Sequence, residues 1–268
     1  MEEENEMKYI LKSEKDGIVT IQLNRPEKKN AWNEEMREEM RQSIRSVLCD
    51  RDARVLVIRG SGDSFSSGED VGEMRERREQ EWTTRDFRRM AKNIHDLFDD
   101  LEAAEIPVIA AIDGICVCGG LELALSCDFR IASARSRFGL IESNVGFIPG
   151  SGGCSRLVKI AGVGVAKELI LGGEIIDASK AKEMNIIHRV VPDEDFDREV
   201  ETFAQRLAAK APLTIGIAKL IINLCADSNF NAGRHFERFG QSILMQTDDH
   251  LEAVQAFLEK RKPQFKGK

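Results

Sequence analysis

No stretch of this 268-residue chain approaches the ~18 consecutive apolar residues that a bilayer span requires, so no membrane partner is expected. Residues 1–7 are acidic, with neither the apolar h-region of a secretory signal nor the Arg-rich character of a transit peptide, and a cytoplasmic protein is expected. Ligands for a metal are sparse. The four histidines, His95, His188, His235 and His250, are scattered, and Cys116 and Cys118 form a C-x-C that neither HExxH nor a CxxC pair accompanies, so no metal site is expected. There is no G-x-S-x-G elbow and no Walker lysine after a glycine loop, and Gly150-Ser151-Gly152-Gly153 lacks the spacing and downstream acid of a dinucleotide fold. That loop is expected to shape the turn after Glu142 instead. The six cysteines fall mostly among apolar or small residues and read as reduced core side chains. Positive charge is in deficit: 39 Lys and Arg face 46 Asp and Glu, and a net charge of −7 attracts nucleic acid poorly.

What the chain does have is apolar content, 42%, enough to bury one large core. Short β-rich runs at 17–23, 55–58, 108–112, 129–132 and 186–191 alternate with helical patterns, which predicts an α/β core. Met36, Met40, Ile44 and Val47 form a helical stripe begun by Asn33 as N-cap, and Phe87, Met90, Ile94, Leu97 and Leu101 form a second; both are expected to face the core. The charged segment 73–89 reads as a solvated helix or loop. After Pro192 the strand signals cease, and helices are expected over 196–210, 214–226, 232–245 and 248–260.

The most informative stretch is 106–153. An apolar run, Val108-Ile109-Ala110-Ala111-Ile112, ends in Asp113-Gly114 and reads as a buried strand. Gly119-Gly120 then open a helix whose N-terminal amides turn partial positive charge back toward the strand end, and Gly119 has no side chain to keep a ligand off its N–H. Glu122 sits in the first turn of that helix, among Leu121, Leu123, Ala124 and Leu125, where an ionised group without a purpose is costly. Glu142 follows twenty residues later, ahead of the glycine-rich loop.

Five ordered blocks resemble the crotonase, or enoyl-CoA hydratase, superfamily over nearly the whole chain. They are Leu23-Asn24-Arg25-Pro26 with Asn30-Ala31-Trp32-Asn33; Phe65-Ser66-Ser67-Gly68-Glu69-Asp70; Cys118-Gly119-Gly120-Leu121-Glu122-Leu123-Ala124 with Cys127-Asp128; Phe138-Gly139-Leu140-Ile141-Glu142 with 146–153; and Lys262-Pro263-Gln264-Phe265-Lys266-Gly267. The resemblance implies a spiral of ββα units over 1–195, carrying an acyl-CoA site, and a C-terminal helical module over 196–268 that covers the coenzyme and joins subunits into a homotrimer or a dimer of trimers. It implies an oxyanion hole made by the amides of Glu69 and Gly119, with Glu122 activating water and Glu142 protonating the α-carbon of an enoyl thioester. Arg25, Lys28, Lys29, Ser67 and Lys266 are the implied coenzyme A contacts, and no cofactor is needed beyond that substrate moiety. Both glutamates together favour hydration; isomerisation, thioester hydrolysis, or hydration confined to cyclic or dienoyl substrates are the alternatives of the same fold. Ser66 and Ser67 stand where the family has alanines and read as tolerated changes. Glu69 stands where it has a small or apolar residue, and its carboxyl is expected to face solvent or to cap the turn with Asp70. One homologue of the family binds AU-rich RNA through a lysine-rich helix; here that helix reads Glu34-Glu35-Met36-Arg37-Glu38-Glu39, and no nucleic-acid partner is expected.

Overall fold

The computed structural model describes residues 7–268. An antiparallel hairpin of β1 (Ile10–Lys15) and β2 (Ile18–Leu23) leads into α1 (Glu34–Leu48). Three ββα turns follow: β3 (Val55–Gly60) and β4 (Ser64–Ser66) with α2 (Val71–Glu79) and α3 (Thr84–Ala103); β5 (Val108–Ile112) and β6 (Ile115–Val117) with α4 (Gly119–Leu125); β7 (Phe129–Ser133) and β8 (Arg137–Gly139) with α5 (Gly153–Gly172). The chain closes through β9 (Ile176–Asp177), α6 (Ala178–Glu183) and β10 (Arg189–Val191) into α7 (Phe196–Ala208), α8 (Pro212–Asp227), α9 (Phe230–Leu244) and α10 (Asp248–Leu258). In each turn the first strand joins a six-stranded sheet, ordered β1-β2-β3-β5-β7-β10, and the second a four-stranded sheet, ordered β4-β6-β8-β9. Successive units pair in parallel, which winds the chain into the expected spiral.

The sequence explains the layering. Every residue of β5 is buried, as a central parallel strand covered on both faces requires, whereas β2 alternates between buried and half-buried positions. The main core lies on one face of the six-stranded sheet, around Trp32, Phe65, Phe98 and Phe138. On the other face Phe196, Val200 and Phe203 of α7 cover Val55, Val57, Ile109 and Ile131. Asn33 caps α1 as expected, accepting from the Met36 N–H at 2.9 Å, and the Met36, Met40, Ile44 and Val47 stripe is buried.

Several expectations need correction. The strand expected over 186–191 is only Arg189–Val191, because Ile186 and Ile187 enter the core as irregular backbone. Phe87 leaves the core stripe and meets Phe147 at 6.1 Å, while Cys49 is exposed rather than buried. The segment 73–89 forms most of α2 and the start of α3, yet Arg77 within it is buried.

Helix α8 docks through a charge. Lys219, 7% exposed, donates to the carbonyls of Leu101 at 2.8 Å and Ile106 at 3.2 Å and pairs with Asp128 at 2.8 Å. Removing one member of such a buried pair strands the other. Lys219→Met is therefore expected to destabilise the fold by about 3 kcal/mol, with Asp128→Asn recovering part of the loss. Thermal melts of the single and double variants measure this; an unchanged melting temperature for the single variant would remove Lys219 from the account.

Beyond α8, Phe230, Phe239, Leu251, Phe257 and Leu258 are exposed on α9 and α10. Among the described residues no single helix is long and apolar enough to cross a membrane.

Candidate active site

Two strands of backbone meet at the head of α4. The Trp32 N–H donates to Gly68 O at 2.9 Å and the Asp70 N–H donates to Trp32 O at 3.0 Å, so the bridge uses the residues on either side of Glu69. The Glu69 N–H is left with no protein acceptor among the described residues. Gly119, the first residue of α4, has no preceding turn to bond to, and its N–H is equally unpaired among them. Gly68 brings the two segments together: its φ is +87°, and a Cβ there would lie 2.6 Å from Gly119 N.

One turn along α4, the Glu122 side chain is 3% exposed. Its Oε1 accepts from the Ser151 N–H at 2.7 Å and the Gly153 N–H at 2.9 Å, so the glycine loop clamps this carboxyl as well as turning the chain after Glu142. A Cβ on Gly153 would come within 2.9 Å of the same oxygen, which makes glycine necessary there. The loop is itself held from α3: His95 Nε2 lies 2.5 Å from Gly150 O, and Arg156 donates to Ser151 O at 3.1 Å while pairing with Asp99 at 2.6 Å and Glu102 at 3.0 Å.

Burial raises the pKa of both carboxyls, and what opposes it differs between them. Burial raises the Glu122 pKa above the usual range, but the amides of Gly153 and Ser151, then Arg156 and His95, work against that and favour the anion. Glu142 has fewer such partners. Burial, reinforced by the negative charge of Glu122, lifts its pKa to about 7, and its buried Oε2 makes no hydrogen bond among the described residues. Burial first, then the charges of Glu142 and Glu122, push the nearby Cys118 thiol to about 12, so it stays protonated and poorly nucleophilic. The site thus offers one carboxyl clamped by two amides, a second whose buried oxygen has no partner among the described residues, and two free N–H donors.

Residues 13–268 match the enoyl-CoA hydratase/isomerase family. The chain belongs to that family. It is 37% identical over 252 residues, 94% of this chain and 82% of the relative, to a probable mitochondrial enoyl-CoA hydratase 2 of Arabidopsis thaliana. It is 34% identical over 260 residues, 97% of this chain and 98% of the relative, to a crotonyl-CoA hydratase of Syntrophomonas wolfei. The crystal structure of an enoyl-CoA hydratase from Bacillus anthracis superposes with a TM-score of 0.92 at 33% identity, covering 97% of this chain and all of that one.

This member of the family brings some of the expected coenzyme contacts together and keeps others apart. Lys28 and Lys29 are exposed on the turn after β2, and the Ser67 N–H donates to Lys29 O at 3.0 Å, so these three are neighbours. Arg25 is beside them, but its guanidinium is engaged by Asp70 at 2.6 Å and by Ala31 O at 2.9 Å. Lys266 lies elsewhere: its N–H is held by Asp249 at 2.6 Å, and the preceding carbonyl accepts from Arg54, at the opposite end of β3 from the Lys28 turn.

Two side chains do more than expected. Ser66 is fully buried, donating to Asn30 O at 2.8 Å and accepting from the Gly68 N–H at 3.0 Å, so its hydroxyl secures the loop. Glu69 neither faces solvent nor caps the turn. Its carboxylate pairs with Arg37 of α1 at 3.1 Å and with Arg77 of α2, and Glu73 completes the square, accepting from Arg37 at 3.3 Å and Arg77 at 2.7 Å. The residues that sequence reasoning missed are Ser151, Gly153, His95 and Arg156. The available signal was the rule that a carboxyl in an apolar helix needs buried donors from somewhere.

Proposed function

We propose that this enzyme of the enoyl-CoA hydratase family adds water across the α,β-double bond of an enoyl-CoA thioester to give the 3-hydroxyacyl-CoA. The observation that carries the proposal is the pair of glutamates, one clamped by two amides and one with no partner for its buried oxygen among the described residues, beside two unpaired amides. The Glu69 and Gly119 amides receive the thioester oxygen, where negative charge grows as the enolate forms. Glu122, acting in its ionised form, takes a proton from water as the water oxygen bonds to the β-carbon. Glu142, acting in its protonated form, delivers its proton to the α-carbon as the enolate collapses. One water is consumed, and a proton returned from Glu122 to Glu142 through solvent restores the starting state. The exposure of Lys28 and Lys29 beside the Ser67 backbone supports a role for them in meeting the coenzyme phosphates. The exposed apolar side chains of α9 and α10 support assembly into trimers or dimers of trimers.

Crotonyl-CoA tests the reaction. Loss of conjugated-thioester absorbance with a product heavier by one water supports it; release of free CoA or a shifted double bond excludes it. The pH profile tests the roles. Because the reaction needs Glu142 protonated, kcat/KM is expected to fall as pH rises through about 7. Because it needs Glu122 ionised, kcat/KM is also expected to fall in acid, beginning above the pH at which an ordinary glutamate is protonated. Activity still climbing well to the alkaline side would reverse or void the assignment.

A further inference from the structure

Between α1 and α3 lies a cavity of about 770 Å³, within the roughly 300–1,000 Å³ of a small-molecule site. Its mouth carries charged side chains, while Met40, Ile94, Leu97 and Phe98 supply apolar wall. Neither catalytic glutamate nor Gly119 is part of its lining among the described residues. Trp32 stands between cavity and site. Trp32 is among the residues that line the cavity, and its benzo edge touches Gly119 so closely that a Cβ added there would lie 2.6 Å from Trp32 Cζ2. The ring is 2% exposed and meets Phe98 edge to face at 6.1 Å. Its backbone is fixed by the bonds to Gly68 and Asp70, which sets where the side chain departs beside the amide of Glu69.

We infer that Trp32 is a specificity-determining residue: its ring walls the thioester site off from the α1/α3 cavity and restricts the enzyme to short acyl chains. The inference rests on the proposed acyl-CoA chemistry and names the substrate class within it. A chain that grows toward α1 and α3 from a thioester held at Gly119 meets the benzo edge of the indole. A smaller side chain at position 32 joins the two spaces, and the apolar wall beyond then receives the distal methylenes.

The indole Nε1 makes no hydrogen bond among the described residues, so Trp32→Leu orphans no partner. The test is the ratio of kcat/KM for dodecenoyl-CoA to that for crotonyl-CoA, measured on the full chain. The wild type is expected to favour crotonyl-CoA strongly, and Trp32→Leu to raise the ratio at least about 10-fold, since each methylene buried is worth roughly 4-fold. Adding Ile94→Trp, which refills the cavity, is expected to reverse the gain. Equal use of both substrates by the wild type, an unmoved ratio in Trp32→Leu, or a gain that refilling leaves intact would each overturn the inference. Should Trp32→Leu fail to fold, Trp32→Phe, which keeps an aromatic ring but shortens the edge toward Gly119, carries the same expectation at a smaller size. Calorimetric affinities of butyryl-CoA and lauroyl-CoA for the same variants report the wall without any hydration. A failed reaction assignment is thereby distinguished from a failed wall.

Discussion

Glu122→Gln and Glu142→Gln are each expected to lower kcat for hydration by about 10³-fold, within the range for loss of a positioned acid or base, while acyl-CoA affinity changes by less than about threefold. Glutamine suits this test at position 122. Its amide oxygen still accepts from the Ser151 and Gly153 N–H groups, so the clamp survives and only the capacity to take a proton is lost. At position 142 the pKa of about 7 marks a group that shares its proton with water near neutrality, and glutamine cannot do so. The double variant is expected to be little slower than either single one, because an acid and a base that serve one reaction fail together. Wild-type turnover in either single variant would remove that residue from the mechanism; a large loss of binding would instead point to a structural role.

The second large effect is steric. Gly68→Ala is expected to cut kcat by a factor of about 10² to 10³, the usual consequence of losing one oxyanion donor. Alanine tolerates φ +87° poorly, and its Cβ would sit 2.6 Å from a backbone nitrogen that cannot rotate aside. The Gly68 and Gly119 segments must part, which separates the two unpaired amides. Steady-state kinetics paired with a thermal melt decide the matter: a folded variant with undiminished turnover would show that the two amides do not act together.

Local chemistry was readable from the sequence wherever neighbours in the chain suffice to define it. Asn33 announced the start of α1, the run at 108–112 announced a central strand, and Glu122 stood out because Leu121, Leu123 and Leu125 surround it. The four-stranded sheet escaped notice because three of its strands have three residues and the fourth has two, too few for a period to show. Partnerships across the chain were equally hidden. Glu69 finds Arg37 from 32 residues away, and Glu122 finds the Ser151 and Gly153 amides from 29 and 31 residues away. Resemblance supplied the role of Glu142, whose own segment has no distinguishing pattern; its geometry adds a physical reason, burial beside a second negative charge.

The clamp on Glu122 bears on how this enzyme can diverge. Both donors to its carboxylate are main-chain N–H groups, and the Ser151 hydroxyl plays no part in holding it. The hold on this carboxyl therefore depends on the path of the chain more than on side-chain identity. The clamp asks nothing of the side chain at position 151 as long as the loop keeps its course, whereas position 153 has no room for a methyl group, since a Cβ there would lie 2.5 Å from Pro149 Cβ.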